Sequence, residues 1–253
     1  MKPYKVYVLR YARRDAHSSE IVIGDYHRAP LDMAYYMWIV TNGEHTAVVD
    51  MGFTAEMCKR RGRQWLAEPE ALMDSVGVNP KKVEHVVISH LHWDHVGNYE
   101  LFPRAKYYLQ EDEMAFWTGK YVKYPVFNQA IEVEDICAMV RYNYDGRILF
   151  TNGTQEILPG VKVHRVGGHT KGIQIVEAAL ASGPAVVASD ATHTYRNINE
   201  MKPFLILHDV PGYLDGFETI KRLAKDEQHI FPGHDAEVMK RHLHVSENVC
   251  VLE

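Results

Sequence analysis

Over the first fifty residues the apolar positions alternate with polar ones or run together in short stretches. That pattern predicts strands at KVYVLRYA (5–12), SEIVIGDY (19–26), AYYMWIVTN (34–42) and HTAVVDMG (45–52). The dipeptide Asn42, Gly43 marks a hairpin turn between the last two. From 54 to 77 the apolar residues recur at helical spacing, and Pro69 must break or kink that helix. VEHVVISH (83–90) is nearly continuous in apolar residues, which suits a strand buried on both faces.

The second half repeats the theme. AKYYLQ reads as a strand, followed by a helix from about Glu111. The segment 117–144 is rich in Tyr, Phe and Val without clear strand signals, and reads as helical inserts or a cap. Short strands return over 146–168, and a strand pair surrounds SGP within 172–192. GYLDGFETIKRLAKDEQ reads as a helix, and HIFPGHD as a strand ending in a loop. No low-complexity linker divides the chain. One domain over 1–253, of two packed sheets with helices outside and a helical, aromatic insert around 111–145, is the economical reading.

Composition narrows the function classes. The net charge is −5 and the basic residues are scattered, so nucleic acid is not expected as a partner. The densest basic cluster, CKRRGR (58–63), falls in the helical pattern and reads as a solvated face. The three cysteines, Cys58, Cys137 and Cys250, are far apart and suggest neither a disulfide framework nor a zinc knuckle. The N-terminal stretch lacks a signal-peptide pattern, and no apolar run approaches a membrane span. A reducing, cytoplasmic setting without membrane attachment is expected.

Histidine, at 15 residues, changes the picture through its placement. SHLHWDHVGN follows the strand at 83–90 and holds His90, His92, Asp94 and His95 within six positions. In an extended loop His90 and His92 share a side and can bind one metal, while Asp94 and His95 reach a second. Imidazole and carboxylate suit zinc, or iron, cobalt or manganese. Further ligands must come from other strand ends. Three segments have that character: VGGHTKG with His169, VVASDAT with Asp190, and IFPGHD with His234. A carboxylate at the end of an apolar strand is expensive unless paired or bound to metal.

The motif H-x-H-x-D-H, followed by His169, Asp190 and His234, resembles the metallo-β-lactamase superfamily from VVDMG to FPGHD. The resemblance implies an αββα sandwich: two mixed β-sheets with helices outside and metals at one edge. It implies two divalent metal ions, Zn2+ foremost. His90, His92 and His169 would hold one, Asp94, His95 and His234 the other, and Asp190 would bridge them. Asp50 would stand behind the ligands and orient an imidazole.

Within the superfamily, HLHWDHVGN, SDATHT and IFPGHDAEV resemble the N-acyl homoserine lactonase subgroup most. The implied reaction is the opening of a lactone by a metal-bridging hydroxide, with Asp94 carrying the proton to the leaving oxygen. One departure stands out. Where that subgroup has a Tyr three residues after the bridging Asp, this chain has His193, with Tyr195 two further on. Either can donate a hydrogen bond or assist leaving-group protonation. The substitution also leaves room for a cyclic amide or imide, a thioester or a small phosphodiester, and a non-catalytic metal-binding scaffold is the remaining alternative. Tyr26, His27 and Met33 are candidates for the wall of a small-molecule pocket. Phe116 and Trp117 face either substrate or a second copy of the chain in a homodimer.

Overall fold

The computed structural model describes residues 2–253. Fourteen strands are arranged in two sheets. They are β1 (Lys5–His17), β2 (Pro30–Thr41), β3 (Thr46–Val49), β4 (Gln64–Trp65), β5 (His85–Val87), β6 (Lys106–Gln110), β7 (Ile148–Thr151), β8 (Thr154–Leu158), β9 (Val161–Arg165), β10 (Gln174–Leu180), β11 (Gly183–Ser189), β12 (Ile230–Pro232), β13 (Leu243–Ser246) and β14 (Val249–Leu252). The larger sheet has nine strands in the order β13-β14-β1-β2-β3-β5-β6-β7, with β4 on β1. The smaller has five, β12-β11-β10-β9-β8. Both are mixed. β3, β5, β6 and β7 run parallel, as do β11 and β12, and the other pairs are antiparallel.

The parallel strands carry the near-continuous apolar runs. Val48, Val49, Val86, Val87 and Ile88 are fully buried, as expected of strands covered on both faces. Gln174 ties the two sheets together. Its backbone N–H donates to Ser89 O at 2.9 Å, and its amide donates to Ile88 O and Tyr108 O at 2.8 and 2.9 Å. The carboxyl ends of β3, β5, β11 and β12 therefore meet along one seam between the sheets.

Two expected elements differ. The strand predicted at 19–26 is instead a short helix, Ser18–Ile21, followed by a turn at Gly24 with φ +76°. Strand β1 runs on to His17, and the His17–Glu20 capping box then starts the helix. Burial of Ile21 and Val22 explains their apolar character without a strand. The long helix over 54–77 is two short ones, Ala55–Arg60 and Pro69–Ser75. Gly62 at φ +64° turns the chain, and Gln64 and Trp65 pair with β1 instead. Three short helices occupy 111–145: Glu111–Trp117, Pro125–Asn128 and Val133–Tyr144. Among the described residues no helix is long and apolar enough to cross a membrane.

Candidate metal centre

Seven side chains from four strand ends converge. Those of His90, His92, Asp94, His95, His169, Asp190 and His234 are all buried. Their ligand atoms form compact groups that can hold a metal ion: His90 with His92 and His169; Asp94 with His95 and His234; and His90 with His95 and Asp190. Asp190 sits between the first two. Its Oδ2 lies 3.3 Å from His169 Nε2, and its Oδ1 lies 3.0 Å from His234 Nε2 and 3.4 Å from His95 Nε2.

The local chain explains how they are held. Asp50 and Ser189, at the ends of β3 and β11, adopt φ +59° and +46°, a conformation that side chains other than glycine seldom accept. From there Asp50 Oδ1 accepts from Ser89 N at 2.7 Å. Its Oδ2 accepts from Ser89 Oγ at 2.8 Å and Ser189 Oγ at 2.9 Å, and lies 2.7 Å from His95 Nδ1. His169 Nδ1 is paired with Ile206 O and His234 Nδ1 with Ala34 O, each at 2.8 Å. A carbonyl accepts only, so in each pair Nδ1 carries the proton and Nε2 faces the centre with its lone pair. Gly233 gives Asp190 its room: a Cβ there would stand 2.3 Å from Asp190 Oδ1.

The residues fit a metal, and the test lies in what is left unpaired. His90 Nε2, His95 Nε2, His234 Nε2 and Asp190 Oδ1 are buried and lack a hydrogen-bond partner. Orphaned buried polar atoms are rare and costly, and these all face one another. Burial, with the neighbouring imidazoles, lowers the pKa of His90 and His169, and burial brings His92 down to about 3. Neutral imidazole is the form that binds metal. Burial acts the same way on His95 and His234, but the surrounding carboxylates outweigh it and raise both. Asp190 is lowered: burial opposes its ionisation, and His193, His234 and His95 overcome it.

A buried carboxylate that the sequence reading missed lies behind this centre. Glu113 is fully buried and accepts from four donors: Leu91 N at 3.0 Å, Trp117 Nε1 at 2.7 Å, Thr170 Oγ1 at 2.6 Å and Gly172 N at 2.8 Å. It clasps the His90–His92 loop to the His169 loop. Burial raises its pKa, and the four hydrogen bonds oppose that. Gly172 is required for this approach, since a Cβ would meet Glu113 N at 2.3 Å. The sequence carried one signal, an acidic residue in the otherwise apolar EMAFW.

The remaining candidates divide. His193 reaches the centre: its Nε2 is 3.0 Å from Asp190 Oδ2, and its ring stacks on Phe204 at 3.6 Å. Tyr195 does not. Its hydroxyl donates to Ile230 O at 2.9 Å, and Arg241 covers its ring. Tyr213 takes the place beside the centre, donating to Asp190 O at 2.7 Å with His193 Nδ1 at 3.2 Å from its oxygen. Met33 lines the cavity over the ligands, about 100 Å³ in volume, together with Arg14, Tyr35, Arg63, Phe204 and Ile206. Phe116 and Trp117 line a smaller apolar recess that shares His92 and His169 with it. Tyr26, 91% exposed, and His27 lie outside both, because the turn after Ser18–Ile21 carries them to the surface. Nothing in the apolar pattern distinguished Arg14, Arg63, Phe204 or Ile206. They come from three separate segments that only the fold brings together.

Comparison with known proteins gives a consistent picture. A family model described as the metallo-beta-lactamase superfamily matches residues 31–244. An N-acyl homoserine lactonase of Bacillus sp is 28% identical over 168 residues, 66% of this chain and 61% of that protein. The match thus spans about three fifths of that relative's length. N-acyl homoserine lactonase AiiB of Agrobacterium fabrum is 28% identical over 235 residues, 82% of this chain and 81% of its own. Among solved structures, a quorum-quenching N-acyl homoserine lactone lactonase superposes with a TM-score of 0.79 at 22% identity, covering 97% of this chain and 98% of its own. The dizinc quorum-quenching lactonase AidC superposes with a TM-score of 0.71 at 16% identity, covering 93% and 90%. At these identities the superpositions establish the fold: two mixed sheets with helices.

Proposed function

The chain belongs to the metallo-β-lactamase superfamily, and from that premise we propose that it is a metal-dependent hydrolase that opens a lactone ring. The observation that carries this reading is the set of buried, unpaired His90 Nε2, His95 Nε2, His234 Nε2 and Asp190 Oδ1, within clusters of closely spaced ligand atoms. The related N-acyl homoserine lactonases agree with it.

In this reading His90, His92 and His169 would hold one divalent ion and Asp94, His95 and His234 another, with Asp190 within reach of both groups. Zinc suits the nitrogen-rich donor set, with iron, cobalt and manganese as the alternatives. When bound, such ions lower the pKa of water toward neutrality and polarise a carbonyl. Asp94, whose carboxylate lies 3.6 Å from His95 Nε2 and 3.7 Å from His234 Nε2, carries a proton from the attacking water to the ring oxygen that leaves. Asp50 keeps His95 aligned through Nδ1.

His193 takes a different part from the Tyr it replaces. Tyr213 gives its hydroxyl proton to Asp190 O, so its oxygen accepts the Nδ1 proton of His193. His193 Nε2 then faces Asp190 Oδ2 at 3.0 Å, in one group with His169. It serves as a further donor atom or as a base, with Phe204 fixing the ring plane. As a hydrogen-bond donor to a substrate carbonyl it would use Nε2–H, for which Asp190 Oδ2 at 3.0 Å competes.

The test is a panel of lactones, thioesters, cyclic amides and bis-p-nitrophenyl phosphate, assayed with metal content measured in parallel. Turnover of lactones above the other classes by a protein carrying about two equivalents of metal is the expected result. Turnover of the phosphodiester alone, or metal content well below one equivalent in folded protein, sinks the reading.

A further inference from the structure

The basic cluster at 58–63 does not stay on a solvated face. The helix ends at Arg60, Gly62 turns the chain, and Arg63 comes to line the cavity over the ligands. Its guanidinium lies 5.6 Å from the ring of Trp93 and 6.0 Å from that of Tyr35, and Tyr35 in turn stands edge-on to His234 at 5.1 Å. Nη1 donates to Arg61 O at 2.6 Å. Nε is buried without a partner.

Its basic neighbours each have a carboxylate partner, which Arg63 lacks. Arg60 and Arg61 pair with Glu132, at 2.7 and 2.5 Å. Arg14, the other cation lining the cavity, pairs with Glu20 at 2.8 Å and touches Met33 Sδ. Among the described residues no carboxylate lies within ion-pair distance of Arg63. A partly buried guanidinium with an unused donor is costly unless something else meets it. Its geometry matches a carboxylate, which takes two parallel N–H bonds from one edge. The cavity, about 100 Å³, is of a size for a small ring.

We propose that Arg63 reads a carboxylate on the substrate, so that the lactone this enzyme opens is an anionic one. This rests on the lactone-hydrolase reading above. The reaction stays a plain hydrolysis. The oxygen of water bonds to the acyl carbon, the acyl–oxygen bond of the ring breaks, and the ring oxygen takes up a proton. The product is a hydroxy acid with two carboxylates in place of one.

The experiment uses two matched probes, 5-oxotetrahydrofuran-2-carboxylate and its carboxamide. They share a ring and differ in charge. The kcat/KM ratio of acid to amide is measured for the metal-loaded protein and for Arg63→Met, Arg63→Lys and Arg61→Met. The ratio should favour the acid and should fall about 10- to 100-fold in Arg63→Met. Arg63→Lys, which keeps the charge but not the fork, should fall between, and it serves if the Met variant does not fold. Arg61→Met removes a nearby cation and should keep the ratio. Calorimetric binding of the two ring-opened products to the same proteins gives a readout that needs no turnover. If neither probe is opened but the diacid binds better through Arg63, the lactone reading fails and the carboxylate site stands. If lactones are opened with no preference for the acid, or the preference survives in Arg63→Met, the carboxylate site is overturned and the lactone reading stands.

Discussion

The two halves of the centre hold their imidazoles by different means. His90, His92 and His169 sit among one another, with Ser89 Oγ and the Ile206 carbonyl as outer partners. His95 and His234 sit among carboxylates, with Asp50, Asp94 and Asp190 around His95. Burial is equally deep on both sides, so the opposite directions of their pKa values come from the neighbours alone. The acid-poor half is orientated mainly by neutral groups at hand, the acid-rich half by a buried charge. The fold supports each half with one carboxylate: Glu113 clasps the loops of the first, and Asp50 aligns the second.

Breaking the shared member should break both halves. Asp190→Ala is expected to abolish turnover and strip the protein of bound metal, measured by elemental analysis. His92→Ala should act on one half only, lowering metal from about two equivalents to about one while turnover is lost. Retention of full metal and activity in either variant would falsify the ligand assignment.

Smaller effects sharpen the contrast between the two supporting carboxylates. Glu113→Ala leaves four donors without their acceptor and should destabilise the fold by about 2–4 kcal/mol, read as a shift in the urea midpoint. An unchanged midpoint would mean the two loops hold without it. Asp50→Asn should fold but bind metal about 10- to 100-fold more weakly, measured by competition with a chelator. The weakening should fall on one ion only, that of the Asp94, His95 and His234 group, which should then leave first. Loss of both ions together would erase the distinction between the halves.

Asp135 provides the control, a buried carboxylate whose Oδ2 has no partner. Burial, with Glu132 nearby, raises its pKa from 3.8 to about 6. The folded value lies above the unfolded one, so protonation favours the fold. Stability from this group is full below the unfolded pKa and is lost as pH rises through about 6. Asp135→Asn should therefore raise stability by about 1–3 kcal/mol near pH 8 and by almost nothing near pH 4. Equal gains at both pH values would show that ionisation is not the cause.

Much of this was legible in the chain because it is local. The apolar runs at 83–90 and in β3, β11 and β12 mark strands buried on both faces, and a His or Asp just past such a strand is costly unless it has a task. That reasoning reaches His90, His92, Asp94, His95, His169, Asp190 and His234 without coordinates. It fails where the pattern admits two readings. Ile21 and Val22 are apolar because they are buried, and a capping box makes their segment a helix rather than a strand. It fails also where partners are far apart in sequence. Glu113 clasps residues 22 and 59 positions away, and the Tyr195 hydroxyl is claimed by Ile230, 35 positions on. Helix ends and glycine turns decide where a side chain points, as Gly62 does for Arg63. The type of chemistry was thus set by residue identity and spacing. Which tyrosine stands beside the centre, that Glu113 supports it and which cation faces the cavity were set only by packing, because each depends on which distant backbone atoms and side chains the fold brings together.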